Sequence, residues 1–393
     1  MKPWTVIDLF SGCGGMSYGF HRHPAFRLVG AADAQIGKPS SPRGSLQCNS
    51  TYELNMGIRP VEVDLARVSP CELRERLGMA DGQGIDVLSC CPPCTGFSRA
   101  NPENHVRDDS RNRLVEKTAD FAAALGARVI VMENARELLT GNFRHHFEAL
   151  KLRLQQMGYE VREEVHNLSE FGLPQQRERA LVVGAKSPLR ARGLRDIWAG
   201  KVVAKDACTV RRALAVRTCQ TDPARKFPAF ADPMVADRIA AVPCDGGSWI
   251  DLARDCRKQH LLTPAMRRIL ERGKIGSHPD IYGRMWWDRP APTIKRECAH
   301  VGNGRYAHPQ EDRLLTVREM ATLQGFPVDF QFNGAALSNL YRHIGDAVPP
   351  LVSYQVACLI GWILGDPRPV PEDCILSGTH LRKCDIQEPL CIA

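Results

Sequence analysis

Val6-Ile7-Asp8-Leu9-Phe10-Ser11-Gly12-Cys13-Gly14-Gly15 is a short apolar run that ends in a glycine-rich turn. A run of this kind, closed by turn residues, is predicted to be a buried strand. Glycine at 12, 14 and 15 lets the backbone take positive φ and approach a ligand closely. Four more runs follow within the first 195 residues: Phe26–Ala32, Ile85–Cys90, Arg128–Met132 and Ala180–Val183. Helical stretches fall between them, for example 112–126 and 143–157. Runs that alternate with helices predict a parallel sheet flanked by helices. Ligands of such sheets sit at the carboxyl ends of the strands, so the chemistry is expected in the turns that follow the runs.

From about 196 to 290 the texture changes, with Pro, Gly, Asp and Arg interrupting every apolar run. Short strands or loops are predicted there. Residues 315–325 read as a helix closed by Gly325 ahead of Pro327, and 349–364 as a buried helix begun by Pro349 and Pro350. At 393 residues the chain is long enough for two or three domains on a soft prior of ~150 residues each.

A hydrophobic share of 44% and a charged share of 24% exclude disorder of the whole chain. The longest apolar stretches, 121–132 and 356–364, fall short of the ~18 residues of a spanning helix, so no membrane partner is expected. The N-terminus runs directly into a strand-like segment without a leader, which reads as cytoplasmic. Net charge is +8, and residues 200–288 hold 16 Lys/Arg against 10 Asp/Glu. A basic surface suits a polyanionic partner, and it equally describes a solvated face. The 15 cysteines are odd in number and form no paired CxxC, which predicts reduced thiols. Cys374, His380, Cys384 and Cys391 are spaced too loosely for zinc, and no metal site is expected.

Three further constellations stand at strand ends. Pro92-Pro93-Cys94 fixes a rigid turn that presents a thiol, either a nucleophile or a packing residue. Glu133-Asn134-Ala135 places a carboxylate in an apolar setting, where burial would favour its protonated form, or else it caps the next helix. In Gln175-Gln176-Arg177-Glu178-Arg179, extended backbone would turn Gln175, Arg177 and Arg179 to one face. Two arginines there could bind an anion or a base carbonyl, or form a surface ladder. The glycine turn, with Asp33 closing the second run 25 residues after Asp8, suits a nucleotide-like cofactor or a plain tight turn.

In the order DLFSGCGG, PPCTGFS, ENA, QQRER, RPAPTI (289–294) and GDAVPP (345–350), these segments resemble the DNA (cytosine-5) methyltransferase family of restriction-modification type. The match covers roughly 1–186 and 282–360. The resemblance implies an S-adenosylmethionine-binding, Rossmann-like α/β sheet with helices on both faces, made by 1–195 and 335–393. It also implies a smaller, mostly irregular or β target-recognition domain at 196–334. Cys94 would attack carbon 6 of cytosine, Glu133 would hold or protonate ring nitrogen 3, and Arg179 would bind the base carbonyl, with Arg177 and Gln175 supporting the loop. The cofactor pocket would comprise Phe10, Gly12, Cys13, Gly14, Gly15, Asp33, Asp64, Leu65, Pro93, Leu114, Asp346, Ala347 and Val348, with Arg111 and Asn112 in its supporting helix. Ser98, Arg107, Gln175, Gly246, Gly247 and Ser248 would touch double-stranded DNA.

The expected partners are a duplex whose target base is flipped out and, genetically, a cognate restriction endonuclease. The chain would act as a monomer, and the loop of roughly 97–112 would close on DNA. Departures from the family pattern are Thr95, Ala135, Cys90-Cys91, Asp346 in place of Asn, Ala34 after Asp33, and an insertion-like stretch at 36–50. A tRNA-directed relative, a nicotinamide-dependent oxidoreductase and an inactive DNA-binding regulator are the rival readings.

Overall fold

The computed structural model describes residues 2–37, 45–94, 96–97, 106–275, 278–333 and 336–388. Seven strands form one sheet: β1 (Trp4–Leu9), β2 (Phe26–Asp33), β3 (Val61–Glu62), β4 (Val87–Cys90), β5 (Val129–Ala135), β6 (Tyr159–Asn167) and β7 (Glu178–Lys186). Their order is β3-β2-β1-β4-β5-β7-β6, and β7 alone runs against its neighbours. The chain leaves β1 toward β2 on one side and enters β4 on the other. That reversal opens a crevice at the carboxyl ends of β1 and β4. All five predicted runs are strands, with β5 and β7 reaching beyond the predicted ends.

Alternate residues of the central strands feed two separate cores, as the two-residue period requires. Val6, Val87, Val129 and Val131 pack on one face with α1 (Gly15–Arg22). Ile7, Leu88, Ile130 and Met132 pack on the other. The helices up to β6 are α2 (Cys48–Met56), α3 (Pro70–Arg76), α4 (Leu114–Leu125), α5 (Glu137–Thr140) and α6 (His145–Gln156). Apolar residues of α4 and α6 cover that second face. Each fully buried Leu or Ile contributes roughly 1.5–3 kcal/mol, which is why these strands read as continuous apolar runs. Strand β6 lacks that signature. Its sequence YEVREEVHN is charged and half-buried because it is a sheet edge, where charge discourages further pairing.

Beyond β7 come α7 (Leu194–Trp198), α8 (Val210–Leu214), α9 (Pro233–Ala241), α10 (Trp249–Arg254) and α11 (Pro264–Glu271). They are followed by α12 (Val317–Leu323), α13 (Leu337–Asp346) and α14 (Pro350–Leu364). Within 204–334 the regular elements among the described residues are short helices, where short strands or loops were expected; β structure is limited to isolated bridges such as Arg284 to Ala307. A small core of Val242, Trp249, Leu252, Leu261, Leu262 and Met266 belongs to this segment alone. Helix α12 and Phe326 and Phe330 pack instead into the large core with α1 and α14. Leu337–Leu364 is apolar enough in composition to cross a membrane, but 89% of its apolar window is buried inside the protein.

Candidate active site

The glycine turn is built for close approach. Phe10, Gly12 and Gly14 take φ of 59°, 53° and 95°. The Gly12 N–H donates to Asp33 Oδ2 at 2.9 Å and the Gln35 N–H to Asp33 Oδ1 at 2.6 Å, so turn and carboxylate form one unit. A side chain at Gly12 would meet nothing within 4 Å, which leaves an open cradle at the start of α1. Gly15 is needed for a different reason: a Cβ there would lie 2.3 Å from the Val348 carbonyl oxygen. Beneath the turn, Asp8 is fully buried and accepts from Ser17 Oγ and Ser89 Oγ, both at 2.6 Å. Burial pushes its pKa up to about 6.

The other residues of the expected cofactor set are held in varied ways. Lys117 of α4 donates to the carbonyls of Leu65, Ala66 and Val68 at 2.8–3.0 Å and fixes the turn that carries Asp64. Asp64 is half-buried, whereas Leu65 and Leu114 are buried. The Cys13 thiol points away to the His343 carbonyl at 3.4 Å, and burial pushes it up to about 12, so only its backbone can face a ligand. Asp346 ends α13 and pairs with Arg296 at 2.9 Å. It is reached by solvent yet walled by protein, which pushes its carboxyl up to about 6. Ala347 and Val348 are buried, and Ala347 O accepts from Gln324 Nε2 at 2.8 Å and Arg177 Nη2 at 3.4 Å.

On the other side of β4, three reactive groups converge. Pro92 O accepts from Asn134 Nδ2 at 3.0 Å, so the middle residue of the ENA triplet clamps the turn that presents exposed Pro93 and half-buried Cys94. Glu133 lies within β5 and caps no helix. Its Oε1 is 3.0 Å from Arg179 Nε, off the line of the N–H, and is left without a hydrogen bond. Burial raises the pKa of the Cys94 thiol, while the nearby charges of Arg179 and Arg177 pull it down. Arg177 is buried and donates to the carbonyls of Ile294 (3.1 Å) and Ala347. It joins the two parts of the chain under the site. The predicted alternation holds: Gln175, Arg177 and Arg179 turn inward, and Gln176 and Glu178 outward.

The residues expected to touch DNA differ in their settings. Gln175 is fully buried; its Oε1 accepts from Ile294 N at 2.9 Å and its Nε2 donates to Gln324 Oε1 at 2.8 Å, so it locks the loop and faces no partner. Ser248 is buried as the N-cap of α10, bonded to Asp251. Gly247 is buried, and its carbonyl accepts from Arg284 N and Arg305 Nη1. Gly246 is half-buried against Trp286, where a Cβ would collide with the indole. Arg107 is exposed. Ser98, with Thr95 and the loop stretch 98–105, lies outside the described residues, as do 38–44 of the insertion-like stretch and Cys391.

The sequence reading missed the Asp8–Ser17–Ser89 network and Lys117, whose residue types carry no distinctive signal.

A glycine cradle tied to an acidic strand end, beside a thiol, a carboxylate and a guanidinium on adjacent strands, is the equipment of a group-transfer enzyme with a nucleotide-like cofactor. The C-5 cytosine-specific DNA methylase family matches residues 4–362, and the chain belongs to it. It is a DNA (cytosine-5) methyltransferase that uses S-adenosylmethionine. It is 29% identical over 367 residues to the Type II methylase M.HgiDII of Herpetosiphon aurantiacus, covering 90% of this chain and 94% of that one. It is also 29% identical to the Type II methyltransferase M.Eco47II of Escherichia coli, over 90% and 78% of the two chains. Among solved structures, the methyltransferase EhMeth of Entamoeba histolytica superposes with a TM-score of 0.59 at 15% identity, over 93% of this chain and all of that one. The Dnmt2 methyltransferase of S. pombe does so with 0.54 at 17%, again over 93% and 100%. At such identities these two matches speak to the fold.

Proposed function

We propose that Cys94, Glu133 and Arg179 carry the chemistry, with Arg177 supporting the loop. The supporting observation is that Arg179 and Glu133 pair within one cleft whose charges also act on the Cys94 thiol. Carbon 5 of cytosine is a weak nucleophile. Addition of the Cys94 thiolate forms a sulfur–carbon bond at carbon 6, while Glu133 holds a proton on ring nitrogen 3 and Arg179 holds the base carbonyl. The resulting enamine makes carbon 5 reactive. Bound S-adenosylmethionine supplies the methyl group. Loss of the carbon 5 proton and departure of the thiolate then restore the aromatic ring. The base must leave its helix to reach these groups.

The open cradle at Gly12, Asp33 beside it and the Asp64–Leu65 turn suit the cofactor, with Phe10, Pro93, Leu114 and the 346–348 segment around them. Residues 196–334 are proposed as the recognition unit; their own small core and the exposed Arg289, stacked 4.8 Å from Trp286, support that assignment. On the same reading the chain works as a monomer in the cytoplasm. The Type II names of its relatives support a restriction endonuclease as genetic partner.

The test is bisulfite sequencing of DNA from cells expressing the chain or its Cys94→Ala variant, with tRNA sequenced alongside. Sequence-specific cytosine methylation of DNA that vanishes in the variant is expected. Methylation confined to tRNA would overturn the substrate, and methylation by Cys94→Ala would overturn the nucleophile.

A further inference from the structure

His145 and His146 open α6 and lie beside Asp108, on the opposite end of the 98–105 stretch from Cys94. His146 is 3% exposed, and its Nε2 is 3.0 Å from Asp108 Oδ2. His145 Nε2 is 3.7 Å from the same oxygen. One ligand atom from each of the three residues lies within 4.8 Å of the other two. In a tetrahedral zinc site with N and O ligands at ~2.0–2.1 Å, neighbouring ligand atoms are roughly 3.3 Å apart. The two measured separations bracket that value. Behind the buried ring, His146 Nδ1 is 2.5 Å from Glu116 Oε1, which leaves Nε2 aimed at Asp108. A carboxylate behind a ligating imidazole is the common way proteins orient such a ligand. Asn112 Nδ2 donates to Asp108 Oδ1 at 2.7 Å and holds the third ligand in place. Asp108 and His145 are open to solvent at 40% and 59%, so an ion can enter and keep a water.

We propose that Asp108, His145 and His146 bind a divalent transition-metal ion of zinc's class, with Glu116 orienting His146. Two imidazoles favour zinc, cobalt or nickel over magnesium or calcium, which prefer oxygen. One Zn²⁺ balances the two carboxylates of Asp108 and Glu116. The site lies close to the reactive turn: the Phe97 ring meets His146 edge-on at 6.3 Å, and the Phe97 N–H donates to Cys94 O at 3.0 Å.

The experiment is titration of the full chain with Co²⁺, followed by visible absorption, and with Zn²⁺ and Mg²⁺ by calorimetry. Fifteen cysteines are present, and cobalt distinguishes the donors because thiolate ligands add a charge-transfer band that imidazole and carboxylate lack. One ion bound without that band, no binding of Mg²⁺, loss of the ion in the surface variant His145→Ala, and about tenfold or greater weakening in Glu116→Gln are expected. Unchanged thermal melting of His145→Ala confirms that it folds. No binding by the parent chain, a thiolate band on the only ion bound, or equal affinity in His145→Ala would each overturn the proposal.

Discussion

Arg179 stands opposite Ala135 in the β5–β7 register, one pair beyond Asn134, yet its guanidinium reaches back to Glu133, with Nε 3.0 Å from Oε1. The pair holds two side chains at 15% and 13% exposure, with Glu133 Oε1 buried against the guanidinium and without a hydrogen bond. Arg179→Lys keeps the charge and loses the planar fork. A fall in kcat of about 10²–10³, with S-adenosylmethionine affinity unchanged, is expected from methyl transfer to duplex DNA and cofactor calorimetry. Loss of cofactor binding instead would place Arg179 in the wrong half of the site.

The electrostatics of Cys94 set the pH response of the DNA-free enzyme. Burial raises its pKa, and Arg179 is the strongest opposing influence. Exposed Cys219 is shifted the other way, by its hydrogen bond with Thr221. Alkylation by iodoacetamide, resolved by mass spectrometry, should be slower at Cys94 than at Cys219 at neutral pH and should climb as pH rises. Arg179→Ala should slow Cys94 further at each pH. Equal rates at neutral pH would show that the thiol is not held in its protonated form.

Asp8 links pH to stability. Its folded pKa is about 6 against an ordinary 3.8, so the folded state binds more protons than the unfolded one between those values. Stability is therefore lost as pH rises from about 4 to about 6, by roughly 3 kcal/mol for this group. Asp8→Asn removes that dependence. Urea unfolding should show the variant gaining on the parent by about that amount between pH 4 and pH 7. A difference that stays flat with pH would contradict the buried, charged Asp8.

Two glycines should separate packing from ligand approach. A Cβ at Gly19 would sit 2.2 Å from the Ser353 carbonyl carbon, where α1 crosses α14. Gly19→Ala should cost about 1–3 kcal/mol and lower the melting temperature. Gly12 has open space but a φ of 53°. Gly12→Ala should cost about 1 kcal/mol and act mainly on S-adenosylmethionine binding, as melts and calorimetry would show. The reverse pattern would mean that Gly12 is a packing residue.

The central strands were legible because β1, β4 and β5 are buried and apolar. β6 was not, because its edge position favours charge. The thiol, carboxylate and arginine motifs could be read because each ends or borders a strand, and strand ends meet at one edge of a parallel sheet. The settings of the expected surface contacts were hidden for the converse reason. Gln175, Gly247 and Ser248 look like loop residues available to DNA, but their polar groups are consumed inside the protein. No spacing rule reveals the first two, since the partners of Gln175 and Gly247 lie 149 and 58 residues away, whereas Ser248 and Asp251 stand at the three-residue spacing of a capping box. The pairing of His145 and His146 with Asp108 was equally hidden, because the sheet and α6 bring together residues 37–38 apart.

The central claim is a transient bond between Cys94 and cytosine. The direct measurement uses a duplex carrying 5-fluorocytosine at the methylated position, incubated with enzyme and S-adenosylmethionine, denatured and mapped by mass spectrometry. Fluorine cannot leave carbon 5 as a proton does, so the methylated adduct should persist and map to Cys94, and should be absent from Cys94→Ala. An adduct at another residue, or one that survives in Cys94→Ala, would contradict the account.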